Sequence, residues 1–288
     1  MIVGTLAIVG TGLIGGSFSL ALKQAGAVHE VLGVGRNPAS LTAALELGLI
    51  DRAASWVEAG QADCVLLAMP VGETEAVLKS LAPHLKTGAI VTDAGSTKAN
   101  VVEAARAALG ARFADFVPGH PIAGSEQSGP GAARADLYQG RKVVLTPHAD
   151  TRADALATVR ALWEAAGAQV ETLDAELHDR VFAAVSHLPH LAAFALVDEL
   201  AQRADGDTFF RFAASGFRDF TRIAGSSPEM WRDIALANRE AVLTELDAYV
   251  AALQALRQTV ASEDAEGLLK LFSRARAARE NWMKKQDS

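Results

Sequence analysis

The stretch "GHPIAGSEQSGP" (119–130) sets a single histidine, His120, beside a proline and among small residues, with Glu126 six residues further on. Imidazole is the side chain best suited to taking up a proton near neutral pH. The stretch has no apolar period, which predicts a loop, and loops held by a rigid scaffold often carry catalytic groups. The competing expectation is a histidine that only hydrogen-bonds its own turn. A second cluster lies at the front of the chain, where "TLAIV" runs into Gly10-Thr11-Gly12-Leu13-Ile14-Gly15 and then "GSFSLALKQAG". Gly10 permits a tight turn, Gly12 lets backbone amides approach a pyrophosphate, and Gly15 allows close packing of helix on strand. A strand before this motif and a helix after it are the context that identifies a dinucleotide site.

The end of the next strand bears on which dinucleotide. Nucleotide domains that prefer NAD place an Asp or Glu there, about 20 residues past the glycines, to hold the adenosine ribose. This chain has "VLGVGRN" (31–37), ending in Gly35-Arg36-Asn37. No acid repels a 2′-phosphate, and the Arg36 fork can bind one, so NADP is expected to be preferred. Asn37 remains able to hold a ribose hydroxyl, which leaves room for NAD at lower efficiency. Stacking of Arg36 on adenine is the alternative and would favour neither cofactor.

The elements that must position these groups follow from the pattern. The runs "TLAIVG", "EVLGVG", "DCVLLAM", "GAIVTD", "ADFVPG" and "KVVLTP" read as strands alternating with alanine-rich helices. That alternation predicts a parallel sheet with helices on both faces. After "AQVETL" (168–173) the strands stop and the remainder reads as helix, with Ser227-Pro228 as a helix start. The expected fold class is therefore a Rossmann-type α/β dinucleotide-binding domain over residues 1–172, followed by an all-α domain over 173–288.

Five motifs in order, "VGTGLIGGSFSLALK", "TDAGSTK" (92–98), "GHPIAGSEQSG" (119–129), "SHLPH" (186–190) and "GFRDFTRIAGSSPEMWRDI" (216–234), resemble the prephenate/arogenate dehydrogenases of tyrosine biosynthesis. The resemblance covers nearly the whole chain. It implies a homodimer through the C-terminal helices and oxidative decarboxylation of a cyclohexadienol bearing a ring carboxylate. His120 matches the family's catalytic histidine, and Ser96 a residue that hydrogen-bonds the same ring hydroxyl next to the cofactor. Ser96 is alternatively a cap for the helix "TKANVVEAARAAL", and one serine can do both. Arg222 matches the substrate arginine and His187 a histidine at the substrate's side chain. Arg218, four residues before Arg222, would share a helix face with it and is the second candidate for a substrate carboxylate. Glu126 either orients the site or is simply solvated. Glu176 and Asp219 resemble acids of an ion network at the pocket mouth, while His190 is expected to pack within its helix.

Composition limits the partners. The 288 residues carry a net charge of −7 without long like-charge runs, which argues against nucleic acid or an anionic membrane. The apolar stretch "VFAAVSHLPHLAAFALVDELA" contains His187, Pro189, His190, Asp198 and Glu199, and so reads as a buried or interfacial helix. The lone Cys64 and an N-terminus that enters a strand without a basic leader lead us to expect a cytoplasmic protein. No Cys/His spacing suggests a metal site. Two other readings compete: a non-catalytic NAD(P)H sensor, and a β-hydroxyacid dehydrogenase. The latter uses a lysine base at the start of its helical half, and this chain has no lysine between Lys142 and Lys270.

Overall fold

Alternate residues of the first strand face opposite ways, and both faces are apolar: Leu6 and Ile8 on one, Ala7 and Val9 on the other. Such a strand must be covered on both sides. A computed structural model describes residues 1–125 and 127–286 and shows how this is done. Six parallel strands, β1 (Val3–Val9), β2 (Val28–Val34), β3 (Arg52–Ala53), β4 (Cys64–Leu67), β5 (Ile90–Asp93) and β6 (Phe116–Val117), lie in the order β3-β2-β1-β4-β5-β6. The order reverses between β1 and β4, the place where open α/β sheets bind nucleotides.

One apolar layer holds Phe18, Leu22, Tyr138 and Trp163, with the Phe18 and Trp163 rings 4.2 Å apart. The opposite layer includes Trp231 and Ile234 of helix Pro228–Ala237, which packs this helix on the sheet. Cys64 is fully buried in β4, and burial pushes its thiol up to about 12.

Two details differ from the sequence reading. "KVVLTP" does not join the parallel sheet. It forms β8 (Lys142–Leu145) in a second sheet ordered β7-β8-β9, with β7 being Gly119–Pro121 and β9 Gln169–Thr172. β7 and β8 are antiparallel, His120 facing Val144 in register. His120 therefore sits in a short strand and not in a loop; three residues are too few to show a period of two.

The chain forms two compact units, Met1–Arg239 and Glu240–Ser288. In the first, helix Ala175–Phe182 continues through a π-helical turn, Ala183–His187, into helix Leu188–Ala201. This stretch is long and apolar enough to cross a membrane by length and composition, and only 22% of its most apolar window is buried. The second unit consists of most of helix Arg239–Ala261 together with helix Ala265–Gln286. Leu243, Val250, Leu253, Val260, Leu269 and Phe272 are exposed on it.

Candidate active site

The site starts from the end of β5. Asp93 accepts hydrogen bonds from the Gly95 amide (2.8 Å) and the Gly119 amide (3.0 Å), fastening β7 to the sheet. Lys98, wholly buried, ion-pairs with Asp93 and donates from Nζ to the Gly119 carbonyl at 2.7 Å. A Cβ on residue 119 would stand 3.0 Å from the Asp93 carbonyl oxygen, so this close approach favours glycine. These bonds fix the residue that follows, His120.

The His120 ring is held from the helical side. His120 Nδ1 lies 2.8 Å from His178 Nε2, and His178 Nδ1 lies 2.8 Å from Asp179 Oδ1. A carboxylate can only accept, so His178 donates from Nδ1 and its Nε2 is left to accept from His120 Nδ1–H. The basic nitrogen of His120 is then Nε2. Phe182 packs edge-on to the same ring, with centroids 4.8 Å apart. Asp179 also accepts from the Lys98 and Ala99 amides at 2.8 and 2.9 Å, capping helix Ala99–Leu109 from another element. That corrects the capping expectation for Ser96. Ser96 is a half-buried residue of the β5–helix connection, and the helix begins at Ala99.

Burial would raise the Asp179 carboxyl, but bonds from His178 and the two amides outweigh it and hold the group below the usual range. Burial pulls Lys98 down, opposed by Asp93. Burial, then the nearby His178, Lys98 and His187, push His120 well below the ordinary 6.5. Neutral imidazole is thus the resting form at pH 7.

His187, 1% exposed, emerges from the π-helical turn, a distortion common at functional sites. Its Nδ1 is 3.2 Å from Asn238 Nδ2, which also donates to the Asp179 carbonyl at 2.8 Å. Burial lowers His187 to about 4. His190 stacks on Trp231 at 3.7 Å and donates from Nδ1 to the Ser186 carbonyl, and it too is lowered by burial and by Arg222. Arg222 is exposed and opens the 3-10 turn Arg222–Gly225, near enough to His190 to act on its charge. Arg218 is exposed in helix Ser215–Thr221, so the α-helical face expected for the pair ends one residue short of Arg222. Glu176 and Asp219 are exposed. Glu126 lies outside the described residues.

One consequence concerns acid stability. His120, His178, His187 and His190 all have lowered folded values. Between those values and 6.5 the unfolded chain holds more protons, so stability rises with pH there and is lost as pH falls below about 6.5. His187, at about 4, contributes up to about 3 kcal/mol of this alone. The thermal midpoint is expected to fall steadily from pH 7 to pH 5; a midpoint flat across that interval would contradict the neutral cluster.

At the same carboxyl end of the sheet, where Val9 is in register with Leu67 and Leu67 with Asp93, the residues of the glycine turn fit a dinucleotide. Gly10 takes φ +97°, and a Cβ there would strike the Ala68 carbonyl oxygen at 2.6 Å. A Cβ on Gly15 would lie 2.2 Å from the Gly10 carbonyl oxygen. Helix Leu13–Gln24 starts at Gly12 with no side-chain cap and no acid in its first turn. A Cβ on Gly12 would meet nothing nearer than Gly129 N at 4.0 Å, so it would project into the space an anion needs. Thr11 is buried, and Leu13 and Ile14 are half-buried at this helix start. Arg36 and Asn37 are exposed at the end of β2. Arg36 ion-pairs with Glu73, and Asn37 accepts from the Ala39 amide at 2.9 Å, which makes it a helix cap.

Residues 18–172 match the family model for the prephenate dehydrogenase nucleotide-binding domain, and 174–274 the model for its dimerization domain. The chain belongs to the prephenate dehydrogenase family. Among its relatives, the prephenate dehydrogenase of Bacillus subtilis (strain 168) is 38% identical, over 96% of this chain and 75% of that one. The cyclohexadienyl dehydrogenase of Zymomonas mobilis is 37% identical, over 95% of this chain and 94% of its own length. The prephenate dehydrogenase from A. aeolicus, solved with hydroxyphenyl propionate and NAD+, superposes with a TM-score of 0.91 at 39% identity, covering 96% of this chain and 98% of that one. Family membership settles the fold as a nucleotide-binding sheet followed by helices. Reading the sequence for this family did not identify His178, Asp179, Lys98 and Asn238, which surround the matched histidines.

Proposed function

We propose that this chain catalyses the oxidative decarboxylation of prephenate, of arogenate, or of both, with a nicotinamide dinucleotide as oxidant. The observation that carries the reading is the chain of hydrogen bonds from Asp179 through His178 to His120, which leaves a neutral Nε2 to accept a proton. His120 takes the proton of the ring hydroxyl as the carbinol becomes a carbonyl. His178 and the capped Asp179 carboxylate fix its tautomer and favour the imidazolium that forms. Ser96 holds the same hydroxyl. When bound, the nicotinamide supplies the hydride acceptor. The electron pair of the ring carbon–carboxylate bond then passes through the ring to the carbonyl oxygen, which takes a proton back as the phenol forms; carbon dioxide leaves, and aromatisation drives the step. Arg222 binds a substrate carboxylate as a fork, with Arg218 as the second candidate, and His187 and Glu126 complete the substrate's surroundings. In this reading residues 1–172 hold cofactor and base, while 173–288 hold substrate and the partner subunit, in the cytoplasm.

We infer NADP in preference to NAD because Arg36 stands at the β2 end where an NAD-preferring domain carries an acid. The test is a two-by-two comparison of prephenate and arogenate with NADP and NAD, in the wild type and in Arg36→Ala. NADP is expected to give the higher kcat/KM in the wild type, and the ratio should fall in Arg36→Ala. A wild-type preference for NAD, or a ratio the substitution leaves alone, would overturn the cofactor assignment.

The homodimer reading draws support from the largely uncovered stretch Ala175–Ala201 and from the apolar residues exposed on the second unit. Equilibrium sedimentation should give a dimer down to nanomolar concentration. A stable, active monomer would contradict it.

A further inference from the structure

The ion pair at the end of β2 joins two unlike partners. Arg36 is a nearly free arm, its side chain 81% exposed, whereas Glu73 is only 27% exposed. Glu73 closes the 3-10 turn Val71–Glu73, whose Val71 is buried. A Cβ on Gly72 would stand 3.0 Å from Asp233 Oδ2 of helix Pro228–Ala237, so the turn is wedged against that helix. The turn follows β4, across the point where strand order reverses from the β1 glycine turn. The carboxylate is therefore the enclosed partner on a packed turn, and the guanidinium the exposed one.

We propose that Glu73 is a specificity-determining residue for the cofactor: its carboxylate competes with a 2′-phosphate for the Arg36 guanidinium. This rests on the reading that Arg36 receives that phosphate. An arginine already paired must give up or share its carboxylate before it binds a phosphate, and the fixed negative charge repels the phosphate as it arrives. NAD has no 2′-phosphate and meets neither cost. Glu73 thus narrows the preference for NADP that Arg36 alone would give, and keeps NAD usable.

The test is equilibrium binding by calorimetry, which needs no turnover. Adenosine 2′,5′-bisphosphate, NADP and NAD are titrated into the wild type, Glu73→Gln, Arg36→Ala and the double variant. In Glu73→Gln the bisphosphate and NADP should bind about three- to fivefold more tightly, the scale of one exposed charge pair, with NAD unchanged. Most of the gain should be lost in the Arg36→Ala background, where only the direct repulsion is left to relieve. If Arg36→Ala weakens NADP selectively but Glu73→Gln leaves the NADP-to-NAD ratio unchanged, the Glu73 proposal falls and the Arg36 assignment survives. If Arg36→Ala is itself without selective effect, the assignment falls and the competition with it. A selective loss of NAD affinity in Glu73→Gln would make Glu73 a ribose ligand and overturn the proposal.

Discussion

His120→Asn is expected to lower turnover by about 100-fold or more, the usual scale for losing a general base, with KM for prephenate little changed. Asparagine keeps a donor that can reach His178 Nε2, so the strand and the hydrogen-bonded chain stay in place while the basic nitrogen is gone. The acid limb of the wild-type kcat/KM profile should lie below the ordinary histidine value of 6.5, because burial first, and then the basic side chains around it, disfavour a proton on His120. Steady-state kinetics from pH 5 to pH 9 check both statements. Near-normal turnover in the variant would leave His120 a structural member of β7.

Arg222→Gln should act mainly on binding. Removing one partner of a charge-assisted pair costs roughly 2–5 kcal/mol when the pair is desolvated. Because Arg222 is exposed in the chain by itself, the lower end applies, which is about a 30-fold rise in KM for prephenate. The same substitution removes a positive charge near His190, and His190 should then titrate at a higher pH, since Arg222 contributes to its lowered value. An unchanged KM would move the carboxylate site, with Arg218 the next residue to replace.

What the sequence disclosed divides along physical lines. The glycine turn was legible because each glycine answers a local demand: Gly10 its positive φ, Gly15 the 2.2 Å clash its Cβ would make. Ser227 was legible as a helix start for the same reason, and its hydroxyl does accept from the Met230 amide at 3.3 Å. The relay was not legible. In "ELHDRVF" the polar His178 and Asp179 are buried while apolar Leu177 and Val181 are exposed, the reverse of what amphipathic spacing suggests. Two polar residues on a buried face are stable only if they pair, and their partners, His120, Lys98 and Ala99, lie 58 to 81 residues away in sequence. Lys98 was hidden likewise: a lysine at a helix start reads as surface, and only the β5–β7 junction supplies the Asp93 and Gly119 partners that let it be buried. A histidine directly followed by an aspartate in a segment whose apolar period breaks is the one local signal that could have exposed the relay.

The most direct measurement is product stoichiometry in a single reaction of the purified protein with prephenate and NADP. Reduced nicotinamide, carbon dioxide and 4-hydroxyphenylpyruvate should appear in equal amounts, and all three should be lost together in His120→Asn. Carbon dioxide released without reduced nicotinamide, or no reaction with prephenate or arogenate and either cofactor, would contradict the account.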